Sequence, residues 1–170
     1  MDAGSEEFIE FMFGVRFLKT NSGKKGQGMP VVRNPQFYFR EGFCWSDINT
    51  TFLKCRQKQK SINDVKSMSL YSLTDEVPEY YIISLINSRF ISYYVDDFVN
   101  NTQTFQINDA RQLPIIIPSS EQIAMCKSLF DKAIWTKKEI ARSHPNENLI
   151  LEMDEIENAM DRFVSELYSI

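Results

Sequence analysis

The side chains in this sequence best equipped for chemistry are cations, and they are unevenly placed. Of its nineteen lysines and arginines, ten fall between residues 16 and 60, against only Glu41 and Asp47 there. The whole chain carries a net charge of −4, so this basic third sits inside an otherwise acidic molecule. Such asymmetry is how a surface that meets a polyanion looks in sequence. Within it, Thr20 to Gly28 combines three glycines with Lys24 and Lys25, the composition of a mobile cationic loop. It is not a phosphate-binding P-loop: the Gly-x4-Gly-Lys-Ser/Thr order is absent and no helical pattern follows. By itself the stretch fits an exposed hairpin tip as well as a loop that touches DNA.

Other chemistries find little support. Cys44, Cys55 and Cys126 are scattered and form no Cys-x-x-Cys pair, and His144 is the only histidine. A zinc site or a disulfide framework is not expected, and the three cysteines read as reduced, small apolar residues. No apolar run approaches the ~20 residues of a membrane span. The acidic start, MDAGSEEF, lacks the basic and apolar regions of a signal peptide. These features predict a cytoplasmic protein with neither metal nor membrane.

Elements that could position the cations follow from periodicity. Ser5 to Phe13 reads as a short amphipathic helix capped by Ser5. Short strands are predicted over 15–19, 29–33, 36–40 and 43–45, with turns at Asn34-Pro35 and Glu41-Gly42. Residues 50–60 read as a strand passing into a basic polar run, and 67–73 alternates as another strand. Between Pro78 and Tyr94, apolar residues at Ile82, Ile83, Ile86, Phe90 and Ile91 recur at helical spacing. A polar turn, Asn100 to Thr104, follows. Pro114 and Pro118 then bracket an apolar run that must be an edge strand or an extended segment lying on a core. Two C-terminal helices come last. One carries Ile123, Cys126, Phe130, Ala133, Ile134 and Ile140, and the other a heptad seam at Leu149, Met153, Ile156, Met160, Phe163 and Leu167. A break at His144-Pro145 makes them an antiparallel hairpin. The predicted class is α+β: a small twisted mixed or antiparallel sheet with a packing helix in residues 1–118, then a helical hairpin in 119–170.

The order of these pieces resembles a known region. Leu85-Ile86-Asn87-Ser88, a polar loop, and Leu113-Pro114-Ile115-Ile116-Ile117-Pro118 resemble the C-terminal, TaqI-like target-recognition region of bacterial N6-adenine DNA methyltransferases. These belong to type IIG or type I restriction-modification systems. Tyr38-Phe39-Arg40-Glu41-Gly42, with Trp45-Ser46 after it, is similar to a segment early in that region, also found in phage-defence methyltransferases. Trp45 also reads as an ordinary core aromatic. Asp161 to Val164 with Leu167-Tyr168 resembles the family's last helix, a spacer or packing element.

The catalytic parts of such an enzyme are missing from the sequence. The Asn/Asp-Pro-Pro-aromatic motif that holds the flipped adenine is approached only by Asn34-Pro35-Gln36-Phe37, which lacks the second proline. No Phe-x-Gly-x-Gly cofactor loop occurs. The resemblance therefore implies a non-catalytic specificity part, joined to or working with an upstream methyltransferase domain. This chain itself is expected to bind no cofactor, with S-adenosylmethionine in the parent enzyme.

The partner implied is double-stranded DNA. Lys24, Lys25, Arg56, Lys58 and Lys60 are the expected phosphate contacts. Asn21, Gln27, Arg33, Asn101 and Gln103 are the expected readers of base edges, since arginine suits guanine and the amides suit adenine. The rival reading is an interaction module whose helical hairpin binds a partner subunit, the basic third being a solvated face.

Overall fold

The computed structural model describes residues 37–62, 67–142 and 146–169. The expected helix at 5–13, the strands at 15–19 and 29–33, and the glycine-rich loop lie outside the described residues. So do the turn at Asn34-Pro35 and the break at His144-Pro145.

Three strands form the sheet: β1 (Gly42–Ser46), β2 (Cys55–Lys58) and β3 (Ser67–Leu70). Their order is β2-β1-β3, and both pairings are antiparallel. Cys44 sits opposite Arg56 on one side and Ser69 on the other. Because side chains alternate across a sheet, Phe43, Trp45, Cys55, Met68 and Leu70 share the face turned to the helices. All five belong to the core or pack against it. Cys44, Ser46, Arg56, Lys58, Ser67 and Ser69 share the opposite, polar face.

Two strand expectations shift. Of the strand expected at 36–40, Phe37 to Phe39 is a turn, and Phe39 takes a left-handed φ of 56°. Tertiary contact overrides the aromatic β preference there. Phe37 stacks on Tyr71, whose hydroxyl donates to the Phe37 carbonyl at 3.2 Å. Likewise the second strand lies within the basic run at 55–58 rather than ahead of it, because Cys55 and not Thr51 finds the core.

Helices α1 (Glu79–Ile86) and α2 (Arg89–Phe98) replace the single helix that the apolar spacing predicts. Ser88 is the cause. Its extended backbone stops α1, its hydroxyl accepts from Ile91 N at 3.2 Å, and the same hydroxyl donates to Leu85 O at 2.6 Å. Serine offers the backbone an alternative to the helix and so caps the next one. A short helix that periodicity does not show, α3 (Ile107–Ala110), is fixed by a capping box between Gln106 and Asp109.

The run 113–118 is extended but joins no sheet ladder. It is tied down by two phenols instead. Tyr81 of α1 donates to Ile116 O at 2.9 Å, and Tyr168 donates to Pro114 O.

The hairpin is formed by α4 (Ser120–Arg142) and α5 (Glu147–Tyr168). Ser119 and Gln122 cap α4 reciprocally, at 3.2 and 2.7 Å. Along α5 the expected seam faces inward, with Met153, Ile156 and Phe163 buried. Cys126 of α4 and Phe163 and Val164 of α5 belong to the same buried cluster as Trp45, Tyr81 and Ile91. Asp161 of α5 also accepts from Arg89 N at 2.9 Å and pairs with the Arg89 guanidinium at 3.2 Å. Among the described residues no helix is long and apolar enough to cross a membrane.

Candidate nucleic-acid interface

The polar turn after α2 is built as a rigid loop. Asn100 organises it. Its amide nitrogen donates to Thr104 O and Asp109 Oδ2, at 2.9 and 3.0 Å, and its amide oxygen accepts from Thr102 N and Thr102 Oγ1, at 3.0 and 2.7 Å. The loop is then fastened to the end of β1. The Trp45 indole donates to Phe105 O at 2.8 Å inside the core. Phe105 N donates to Asp47 O, and Asn49 N to Gln103 O, both at 2.7 Å. Asn101 and Gln103 ride exposed on this frame. Among the described residues their side chains make no hydrogen bond, so their amides are available to a partner.

Arg56 belongs to the same surface. Its guanidinium donates to Ser46 Oγ at 3.3 Å, and Asn49 Nδ2 donates to Ser46 O at 3.2 Å. Ser46 and Asn49 thus connect the Arg56 cation to the loop that carries Asn101 and Gln103. Lys60 is also exposed, two residues past the far end of β2.

Lys58 differs from the expectation. It is only 4% exposed, and its ammonium donates to Arg40 O at 2.6 Å while lying 5.7 Å from the Tyr71 ring centroid. Burial lowers its pKa from the ordinary lysine value. The Arg40 guanidinium covers the same ring at 4.7 Å. Gly42 makes this arrangement possible, because a Cβ there would come within 2.5 Å of the Tyr71 ring and 2.6 Å of Leu70 O. Lys58 therefore organises the turn at 37–41 and leaves exposed Arg40 as the cation presented outward. Asn21, Lys24, Lys25, Gln27 and Arg33 lie outside the described residues.

The structure thus joins Arg56, Asn101 and Gln103, sets Lys60 apart from them, and withdraws Lys58. Arg40, Asn49 and Lys54 were not singled out from sequence. The apolar–polar alternation of Leu53, Lys54, Cys55 and Arg56 was the available signal for Lys54. Asn49 carried none, because its place depends on pairing with a loop more than fifty residues away. Amides and cations on a fixed frame can grip phosphate and read hydrogen-bonding edges.

This chain is similar to part of an adenine-specific methyltransferase. Over 122 residues it is 28% identical to the adenine-specific methyltransferase BrxX of Escherichia coli O9:H4 (strain HS). The similar stretch covers 70% of this chain and 10% of that protein, so the chain spans about a tenth of the length of the curated relative it matches. No family model matches the chain. The similarity marks a methyltransferase-related region.

Proposed function

We propose that this chain is a TaqI-like target-recognition module, which grips duplex DNA and reads a short sequence for a restriction-modification adenine methyltransferase. In this reading the chain is not itself an enzyme. Catalysis and S-adenosylmethionine binding belong to a methyltransferase domain elsewhere in the parent. The observation that carries the reading is the Asn100-centred loop: it holds the exposed amides of Asn101 and Gln103 on the same surface as Arg56. Similarity to a segment of an adenine-specific methyltransferase supports the same assignment. Arg56 and Lys60, with Lys24 and Lys25, hold phosphates; Asn101 and Gln103, with Asn21, Gln27 and Arg33, read base edges. Lys58 is excluded from the phosphate set because its ammonium is buried against Arg40 O.

The test is equilibrium binding of the full chain to mixed-sequence duplex DNA over a range of salt. Four phosphate contacts give a log–log slope of roughly −3.6, each neutralised phosphate contributing ~0.9. Salt-independent binding, or none at low salt, would sink the reading.

A second reading has one specific observation in its favour. The hairpin exposes Met125, Trp135, Ile150 and Leu151, apolar side chains that a partner subunit could cover. A chain that fails to bind DNA but associates through these residues is an interaction module.

A further inference from the structure

Phe52 and Tyr93 form an aromatic pair on the surface, 41% and 57% exposed, with ring centroids 5.9 Å apart and planes at 86°. Perpendicular rings cannot cover both faces of each other, so π surface is left for a third ring. The pair stands beside cations in a regular way. From Phe52 to Arg56, exposed and buried residues alternate. Leu53 and Cys55 enter the core, while Phe52, Lys54 and Arg56 are exposed.

This segment is held at two points. Leu53 N donates to Ser92 Oγ at 3.0 Å, and Cys55 N donates to Asn87 Oδ1 at 2.6 Å. Asp96 and Asp97 follow Tyr93 by one helical turn and are exposed. A polyanion backbone is therefore favoured on the Lys54–Arg56 side, and an uncharged ring on the Phe52–Tyr93 side.

We propose that Phe52 and Tyr93 form a stacking platform for an unpaired base, with Lys54 and Arg56 holding the backbone of the strand that carries it. The assignment rests on the DNA-recognition reading above. It adds a ligand class that the amide loop does not address: a nucleotide outside the duplex stack. Enzymes that modify a base extrude it and leave its partner unpaired, and aromatic side chains accept such bases with little regard to sequence.

The test is binding of the full chain to oligothymidylate, which has no duplex stack, and to a perfect mixed-sequence duplex. Leucine keeps apolar cover but removes the π face. Phe52→Leu and Tyr93→Leu should each weaken oligothymidylate binding by about tenfold or more, with the salt slope and duplex binding unchanged. Phe52→Trp should retain the affinity. Leucine variants that bind oligothymidylate like the parent chain overturn the platform, as do variants that lose both ligands equally. Duplex binding without oligothymidylate binding also overturns the platform, yet leaves target recognition standing. Absence of binding to either ligand overturns target recognition itself.

Discussion

Asn87 covers the β2 edge of the sheet by holding both backbone polar groups of Cys55. Its amide oxygen accepts from Cys55 N at 2.6 Å, and its amide nitrogen donates to Cys55 O at 2.9 Å. Ser92 does the same for Leu53 N two residues earlier. Side chains from the α1–α2 corner thus stand where a fourth strand would bond, which blunts an edge otherwise open to association. Asn87→Ala leaves the Cys55 pair without its partners and should cost about 1–3 kcal/mol. A urea titration reads this as a lower midpoint at unchanged slope. Asn87→Asp should not rescue it, because a carboxylate cannot donate to Cys55 O. An alanine variant with the parent midpoint would show that water replaces both bonds without loss.

Alkaline pH should weaken the fold through buried acids. Burial raises Tyr81 above its ordinary 10.0 and Tyr168 above the same value. It also pushes the Cys55 and Cys126 thiols above 9.0. Each raised group is protonated when folded and ionises more readily when unfolded. Its contribution is full below the unfolded pKa and is lost as pH rises toward the folded one. Thermal melts should therefore fall from about pH 9 upward, and more steeply above about pH 10. Tyr81→Phe removes one group, so its profile above pH 10 should be shallower than the parent's. At neutral pH that variant should be destabilised by about 1 kcal/mol through loss of the bond to Ile116 O. Parallel profiles would mean that Tyr81 ionises alike in both states.

The α4–α5 hairpin was legible because its apolar period is long, and β1 because its large aromatics, Phe43 and Trp45, stand two apart after a turn signal. Phe163, Ile156 and Met153 face inward as their heptad positions require. The corner at Asn87-Ser88 was not legible by period, since the apolar spacing continues through it. Only the hydrogen bonds to Cys55 and Leu85 decide that the chain turns there. The site shows the same division. Charge counting marked residues 16–60 as basic, yet it could not separate Arg56 on the surface from Lys58 beneath Arg40. That distinction depends on Gly42 admitting the Tyr71 ring, a contact made across the sheet.

Phe163 tests whether the hairpin is a part of the core. It is 4% exposed and shares the buried cluster with Val164 and Cys126. Phe163→Ala should cost about 3–5 kcal/mol, the range for a truncated core aromatic. Chemical denaturation of the full chain measures it, with a single transition expected. An unmoved midpoint would mean that this face is covered by another molecule rather than by the chain's own sheet and helices.

Cations and amides of the proposed interface should separate by salt dependence. Lys24→Ala, Lys25→Ala, Arg56→Ala and Lys60→Ala should each weaken binding to all duplexes alike. Each should flatten the log–log salt slope by about 0.9. Lys58→Met should leave the slope unchanged, because the Lys58 ammonium is engaged by Arg40 O and the Tyr71 ring. Asn101→Ala and Gln103→Ala remove amides that make no hydrogen bond among the described residues, so the loop should stay folded. These two should change which duplexes are preferred while barely moving the slope. Selection from a randomised duplex pool reads the preference, and titrations at several salt concentrations read the slope. A Gln103→Ala chain that selects the same sequences as the parent removes that amide from base reading. A Lys58→Met chain with a flattened slope would mean that the lysine leaves its buried position when DNA binds.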